Sequence, residues 1–182
     1  MTGQAHITFI IEEGPLYRVR HVTFKGNTQY DDQKLLEGLE LESGQPYYQL
    51  KAQAHAKRIL KLYRENGYID AEVRQNPRFV TDVNKVDVEL SIVEGRQFRI
   101  GKIDIIGNEQ TQDKVVRHVL DEYDFTPGGL YNADMAPKQG NGQLEKYIER
   151  MTVSEQAIIK PVVPADGAQD RWDAVVDIKE GM

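Results

Sequence analysis

The sequence predicts an α+β chain of two successive modules, each ordered β-α-α-β-β and folded as a two-layer sandwich. Three observations lead there. The first is a repeat: the stretch Ile10 to Asn27 recurs without a gap as Ser91 to Asn108. Glu13-Gly14 falls on Glu94-Gly95, Tyr17-Arg18 on Phe98-Arg99 and Gly26-Asn27 on Gly107-Asn108, and a partial third copy, Val176 to Gly181, ends the chain. Self-similarity at a fixed period marks tandem architecture. The second is a change of hydrophobic period within each copy, from 2 to about 3.6 residues and back. The third is punctuation by Gly-Asn, Glu-Gly and proline at the ends of the alternating runs.

Taken in order, the first run covers about Tyr17 to Lys25, with Val22 and Phe24 on one face, and Gly26-Asn27 ends it in a turn open to positive φ. Asp31 is placed to cap a short helix carrying Leu35, Leu36 and Leu39, with Tyr30 stapling onto Leu35 and the end near Gly44. Pro46 is expected to open a longer helix, with Ala52, Ala56, Ile59, Leu60 and Tyr63 on one face. Gly67 then reads as a left-handed cap that brings Tyr63 against Tyr68. A second strand runs from Ala71 to Asn76 and is expected to stop at Pro77; a third covers about Val86 to Val93.

The second copy keeps these elements with flaws. Val115, Val116, Val119 and Leu120 make its first helix, starting near Thr111 or Gln112. Pro137, Gly140 and Gly142 stand where the long helix should begin. Proline costs about 3 kcal/mol and glycine about 1 kcal/mol in a helix interior, so this helix is expected to start near Gln143. Tyr147 is expected to answer Tyr63. A strand from Ala157 to Val163 is interrupted by Pro161, a turn falls at Ala165 to Gly167, and the last strand covers Trp172 to Ile178. Trp172 aligns with Val86 and is expected in the core. The expected boundaries are 15–95 and 96–182, with 1–14 holding the last strand (Ile7, Phe9, Ile11) of a preceding module, which makes at least three modules in the parent chain.

Composition narrows the function. Hydrophobic residues make up 40% and charged residues 29% of the 182, ordinary for a water-soluble chain. A net charge of −6 gives no basic footprint for nucleic acid. The absence of cysteine excludes disulfides and thiolate metal sites, and no apolar run reaches the roughly 18 residues of a membrane helix. His6, His21, His55 and His118 lack metal-ligand spacing, and Gly128-Gly129 and Gly140 to Gly142 are followed by no Gly-Lys-Ser/Thr, so they read as loops. Asp121, Glu122 and Asp124 read as a solvated helix end. No Ser-His-Asp or paired-carboxylate constellation declares itself. No cofactor, metal or catalytic residue is expected, and the fragment is expected to be monomeric.

The first module carries strand-Gly26-Asn27, Gly44-x-Pro46-Tyr47, Arg58-Ile59-x-x-x-Tyr63-x-x-x-Gly67-Tyr68-x-x-Ala71-x-Val73 and a strand ending Glu94-Gly95. The second repeats Gly107-Asn108, Tyr131, Leu144, Tyr147 and Glu180-Gly181. This pattern resembles the polypeptide-transport-associated (POTRA) domain of BamA-type outer-membrane assembly factors. The resemblance implies a three-stranded mixed sheet with the third strand central, two helices on one face, and a periplasmic array normally followed by a transmembrane β-barrel. The partners it implies are unfolded outer-membrane polypeptides and accessory assembly lipoproteins, met along sheet edges.

The implied contact strand is Ala71, Glu72, Val73, Arg74, Gln75 and Asn76, matched in the second module by Ile158, Ile159 and Lys160. An edge strand can satisfy its free N–H and C=O groups by adding an extended peptide. A short, charged, proline-ended strand is equally how proteins guard an edge, and both readings stand for these residues. About four or five ladder bonds at roughly 0.5–1.5 kcal/mol each, less the ordering of the guest, give micromolar binding at best. Within the same domain type, a two-partner-secretion transporter or a cell-division protein is the alternative; outside it, a small periplasmic hydrolase or ligand-binding domain.

Overall fold

The computed structural model describes residues 8–10, 14–152 and 154–181; the expected strand of a preceding module lies largely outside them. The first module consists of β1 (Arg18–Lys25), α1 (Asp32–Leu36), α2 (Gln49–Glu65), β2 (Glu72–Val80) and β3 (Lys85–Val93). The second consists of β4 (Arg99–Ile106), α3 (Asp113–Glu122), α4 (Gln143–Met151), β5 (Ser154–Val162) and β6 (Arg171–Glu180). The sheet orders are β1-β3-β2 and β4-β6-β5. In each the last strand is central, parallel to the first and antiparallel to the second. That is the predicted mixed sheet, with both helices on one face.

β3, the central strand, alternates cleanly between the two faces. Val86, Val88, Leu90 and Ile92 are buried under the helices, while Asp87, Glu89 and Ser91 look to the open face. There Asp87 holds the Arg20 guanidinium in a two-point contact and Lys25 reaches Glu89 at 2.5 Å. The Arg20 contact holds the Asp87 carboxyl at about 2. Arg20 sits at a bulge in β1, and Gly101 at the matching bulge in β4, where Asp173 instead accepts the Lys102 N–H at 2.7 Å.

The expected caps form. Asp31 accepts the Lys34 N–H at 2.7 Å. At the end of α2 the Tyr68 N–H donates to Tyr63 O at 3.1 Å, Gly67 has φ +87°, and the Tyr63 and Tyr68 rings meet edge-on at 5.5 Å. In α3 the same closure uses Asp124 at φ +55° where α2 uses glycine, with the Phe125 N–H on Leu120 O at 2.8 Å.

Several expectations are corrected. Pro46 does not open α2: residues 44–47 add to the margin of β1, with Val19 donating to Gln45 O and Tyr47 to Tyr17 O, and the helix begins at Gln49. α1 stops at Leu36, well before Gly44. β2 and β5 run through Pro77 and Pro161, because an edge strand needs no N–H where its backbone faces outward. Tyr147 does not repeat Tyr63. It stacks on Tyr123 with centroids 4.4 Å apart, and Ile148 takes the buried place. Trp172 is half-buried rather than in the core. α4 begins at Gln143, as expected.

Sequence reading found no metal-ligand spacing at His55 and did not mark it as buried: it is 4% exposed on the inner face of α2, and neither ring nitrogen has a partner. Burial, with Arg58 nearby, lowers its pKa to about 4. The unfolded imidazole binds its proton near the ordinary 6.5, so stability is lost as pH falls from there toward 4. His55→Leu should raise first-module stability by about 1 kcal/mol or more and flatten that limb, read by urea denaturation across the interval. Gly67→Ala should cost more than about 1 kcal/mol, since the new Cβ would lie 2.7 Å from Phe98 O in a left-handed backbone; a neutral denaturation midpoint would reject that cap.

Candidate interaction edge

The repeated Glu-Gly motif has a structural task. Glu94, at the end of β3, accepts the N–H of Thr28 at 2.7 Å, the N–H of Gln29 at 2.9 Å, the Thr28 hydroxyl, and the Tyr63 hydroxyl at 2.7 Å. Glu180 repeats this on the N–H groups of Gln110 and Thr111, both at 2.7 Å. Each carboxylate ties the end of the central strand to the turn after the first strand. Burial pushes the Glu94 pKa up, but these donors outweigh it and hold the group below its usual range.

With the sheet fixed in this way, each module has two margins: β1 and β4, covered at their starts by residues 44–47 and 128–131, and the antiparallel outer strands β2 and β5. In an antiparallel ladder alternate residues point their N–H and C=O toward the neighbour, and the others point off the edge. Pro77, opposite Val88, has no N–H to give, which marks its parity as outward. Val73 and Gln75 share that parity. Glu72, Arg74 and Asn76 bond toward β3 and carry side chains on the open face, where Arg74 pairs with Glu72 at 2.7 Å. Ala71 precedes the strand, and its N–H is spent on Tyr68 O. Of the six residues singled out from sequence, two therefore present backbone groups to a newcomer. The Gln75 amide oxygen is also buried without a donor.

In the second module Pro161 lies opposite Ala174 and sets the same parity for Ala157 and Ile159. Here the outward N–H groups are occupied. Ala157 donates to Glu149 Oε1 at 2.9 Å and Ile159 to Glu145 Oε1 at 3.0 Å. Ile158 and Lys160 face β6, and Lys160 pairs with Asp177 at 2.8 Å. Sequence reading missed both glutamates; the signal was their i,i+4 spacing on the helix just before an edge strand.

The joint between modules lies next to β2. Phe98 donates to Gly67 O at 2.8 Å, Ala133 to Arg64 O at 3.0 Å, and the Gln97 amide to Asn66 O at 2.9 Å. Ile69 packs into the second module's core. Lys138 pairs with Asp70 and stands 4.5 Å above the Trp172 ring, which meets Phe98 edge-on at 5.3 Å. A cleft of about 270 Å³ opens there, bounded by Ala71 and Glu72 on one side and Pro137 to Gln139 on the other. Among the described residues no cluster of side chains could hold a metal, and no helix is long and apolar enough to cross a membrane.

Two copies of a three-stranded mixed sheet, each with helices on one face and an outer antiparallel strand, define a tandem of two-layer β-α-α-β-β modules. The family profile for POTRA, described as a surface antigen variable number repeat, matches residues 17–95 and again 98–181. The chain belongs to the POTRA family. It is 26% identical over 180 residues to the outer membrane protein assembly factor BamA of Nitratidesulfovibrio vulgaris, covering 96% of this chain and 21% of that protein. It is 31% identical over 163 residues to BamA of Neorickettsia risticii, covering 86% and 22%. The chain thus spans about a fifth of these relatives' length. In fold it matches Haemophilus ducreyi BamA lacking POTRA domains 1-3, with a TM-score of 0.72, 20% identity, and coverage of 92% of this chain and 30% of that one. It also matches Haemophilus influenzae BamA POTRA3-5, with a TM-score of 0.62, 20% identity, and coverage of 91% and 61%.

Because the Glu94 carboxyl titrates low in the folded chain, its contribution is present above the ordinary value of 4.5 and lost as pH falls through the lowered one. Glu94→Gln should cost the first module about 1–2 kcal/mol at neutral pH and shrink the loss below pH 4.5; an unchanged acid limb in urea denaturation would remove Glu94 from this role.

Proposed function

We propose that the chain is the periplasmic POTRA region of an outer-membrane protein assembly factor and receives unfolded outer-membrane polypeptides as an added strand on β2. The observation that carries this reading is the outward, unoccupied backbone of Val73 and Gln75 on a regular edge strand. The names of the curated relatives supply the substrate class. A guest strand gains main-chain hydrogen bonds irrespective of its sequence, which suits a surface that must pass many different chains. The Pro77 gap and the Glu72 and Arg74 charges keep the edge from pairing with its own kind. Guarding and docking are therefore compatible: the guard limits affinity and the open donors provide it. Accessory lipoproteins would use other faces of the array, and several modules in series would raise the avidity of each weak contact.

Titration of the ¹⁵N-labelled chain with an extended outer-membrane-protein peptide should shift the Val73 and Gln75 amides and leave the outer faces of α1 and α2 still. Shifts confined to the helices would overturn strand addition. Gln75→Pro removes one outward donor at a parity that already tolerates proline. It should weaken peptide binding about fivefold to tenfold, as expected for one net hydrogen bond, with the circular dichroism spectrum unchanged.

A further inference from the structure

We infer that, of the two outer antiparallel strands, the tandem offers an extended polypeptide only β2, because the second module closes β5 with Glu145 and Glu149. The nature of the guest rests on the reading proposed above; the closure itself does not.

Three features converge on β5. The two outward donors, Ala157 and Ile159, are bonded to carboxylates, and the third outward position is Pro161, which has none. The side chain that serves Ile159 is held in place: Glu145 is 1% exposed, and its other oxygen accepts the Gly142 N–H at the first turn of α4. The segment entering α4 also runs against the strand. A Cβ at Gly140 would stand 3.3 Å from Ile158 Cγ2 and 3.6 Å from Glu145 Oε1. A newcomer would have to displace two charge-assisted bonds, then set its own carbonyls beside two carboxylates.

The first module lacks this device. The buried faces correspond when Ile59 and Tyr63 of α2 are set against Leu144 and Ile148 of α4. Leu60 and Arg64 then stand where Glu145 and Glu149 do, and neither side chain can accept a hydrogen bond. The Pro137, Gly140 and Gly142 that shorten the second helix are thus the residues that let its entry segment lie over β5.

Hydrogen exchange of the two-module chain tests the closure without any variant. Although all four lie on edge strands, the Ala157 and Ile159 amides should exchange at least about tenfold more slowly than those of Val73 and Gln75; equal rates overturn the inference. Glu149→Ala should release the Ala157 amide while the Val176 and Ile178 amides keep their protection, and an unchanged Ala157 amide overturns it. Should the variant loosen the whole module, the unmodified chain decides. Adding a ten-residue peptide of alternating threonine, valine and tyrosine should shift Val73 and Gln75 but not Ala157 and Ile159. Shifts at both edges overturn the choice of β2 over β5. Shifts at neither edge, with the exchange contrast intact, overturn the docking reading and leave the closure of β5 standing.

Discussion

A carboxylate at the end of each central strand is the constraint on which the modules depend. β1 and β3 are parallel, so the chain must cross over through both helices before it returns. That closure carries an entropic cost, and it needs a contact between residues some 65 positions apart. Glu94 makes that contact three times over, on two backbone donors and the Thr28 hydroxyl. The Tyr63 hydroxyl brings the helix layer into the same node, and its edge contacts with Tyr30 and Tyr68 carry the node into the core. Glu180 does the same work with backbone donors alone, because the second module's tyrosine has moved to Tyr123. The glutamate of each Glu-Gly is thus a clasp, and in the first module Gly95 lets the chain leave it at positive φ.

The clasp also places the joint. Once β3 ends at Glu94, only a few residues remain before β4, and Phe98 must land beside the cap of α2. Gly67 serves both sides: its left-handed backbone closes the helix, and its carbonyl receives the Phe98 N–H. A side chain there would meet the second module's backbone. The hydrogen bonds of Arg64, Asn66 and Gly67 carbonyls, together with Ile69, make the end of one module part of the surface of the next.

Much of this was legible in the sequence, for physical reasons that differ by element. The strands and their buried faces followed from alternation, because a half-buried sheet fixes which face each residue takes; the order of strands in the sheet came from the family resemblance. The Schellman closure followed from Gly67 between two tyrosines, and the late start of α4 from the helix cost of Pro137, Gly140 and Gly142. Proline misled at Pro46, Pro77 and Pro161, because its effect depends on whether an N–H is needed, and that is a tertiary fact. The burial of His55 was invisible because helical spacing treats a histidine as polar, whatever faces it. The two α4 glutamates that bond β5 were hidden for a related reason: on a helix wheel they read as solvent-facing charges, and only the proximity of an edge strand gives them partners.

The departures of the second copy have a common direction. Its helix starts late, Tyr147 leaves the core, and Glu145 is buried although burial pushes its pKa up against the pull of two backbone donors. Each change taken alone weakens the module, since a shorter helix buries less surface and a buried carboxylate carries a desolvation penalty. Taken together they bring α4 and its entry segment onto β5, where the carboxylates satisfy donors that an edge would otherwise leave to solvent or to a stray chain. Duplication alone would give two equal edges side by side, and two equal edges invite bridging between molecules. Relaxing one copy while keeping the other regular leaves the tandem with unlike faces: a clasped, covered margin next to an open one.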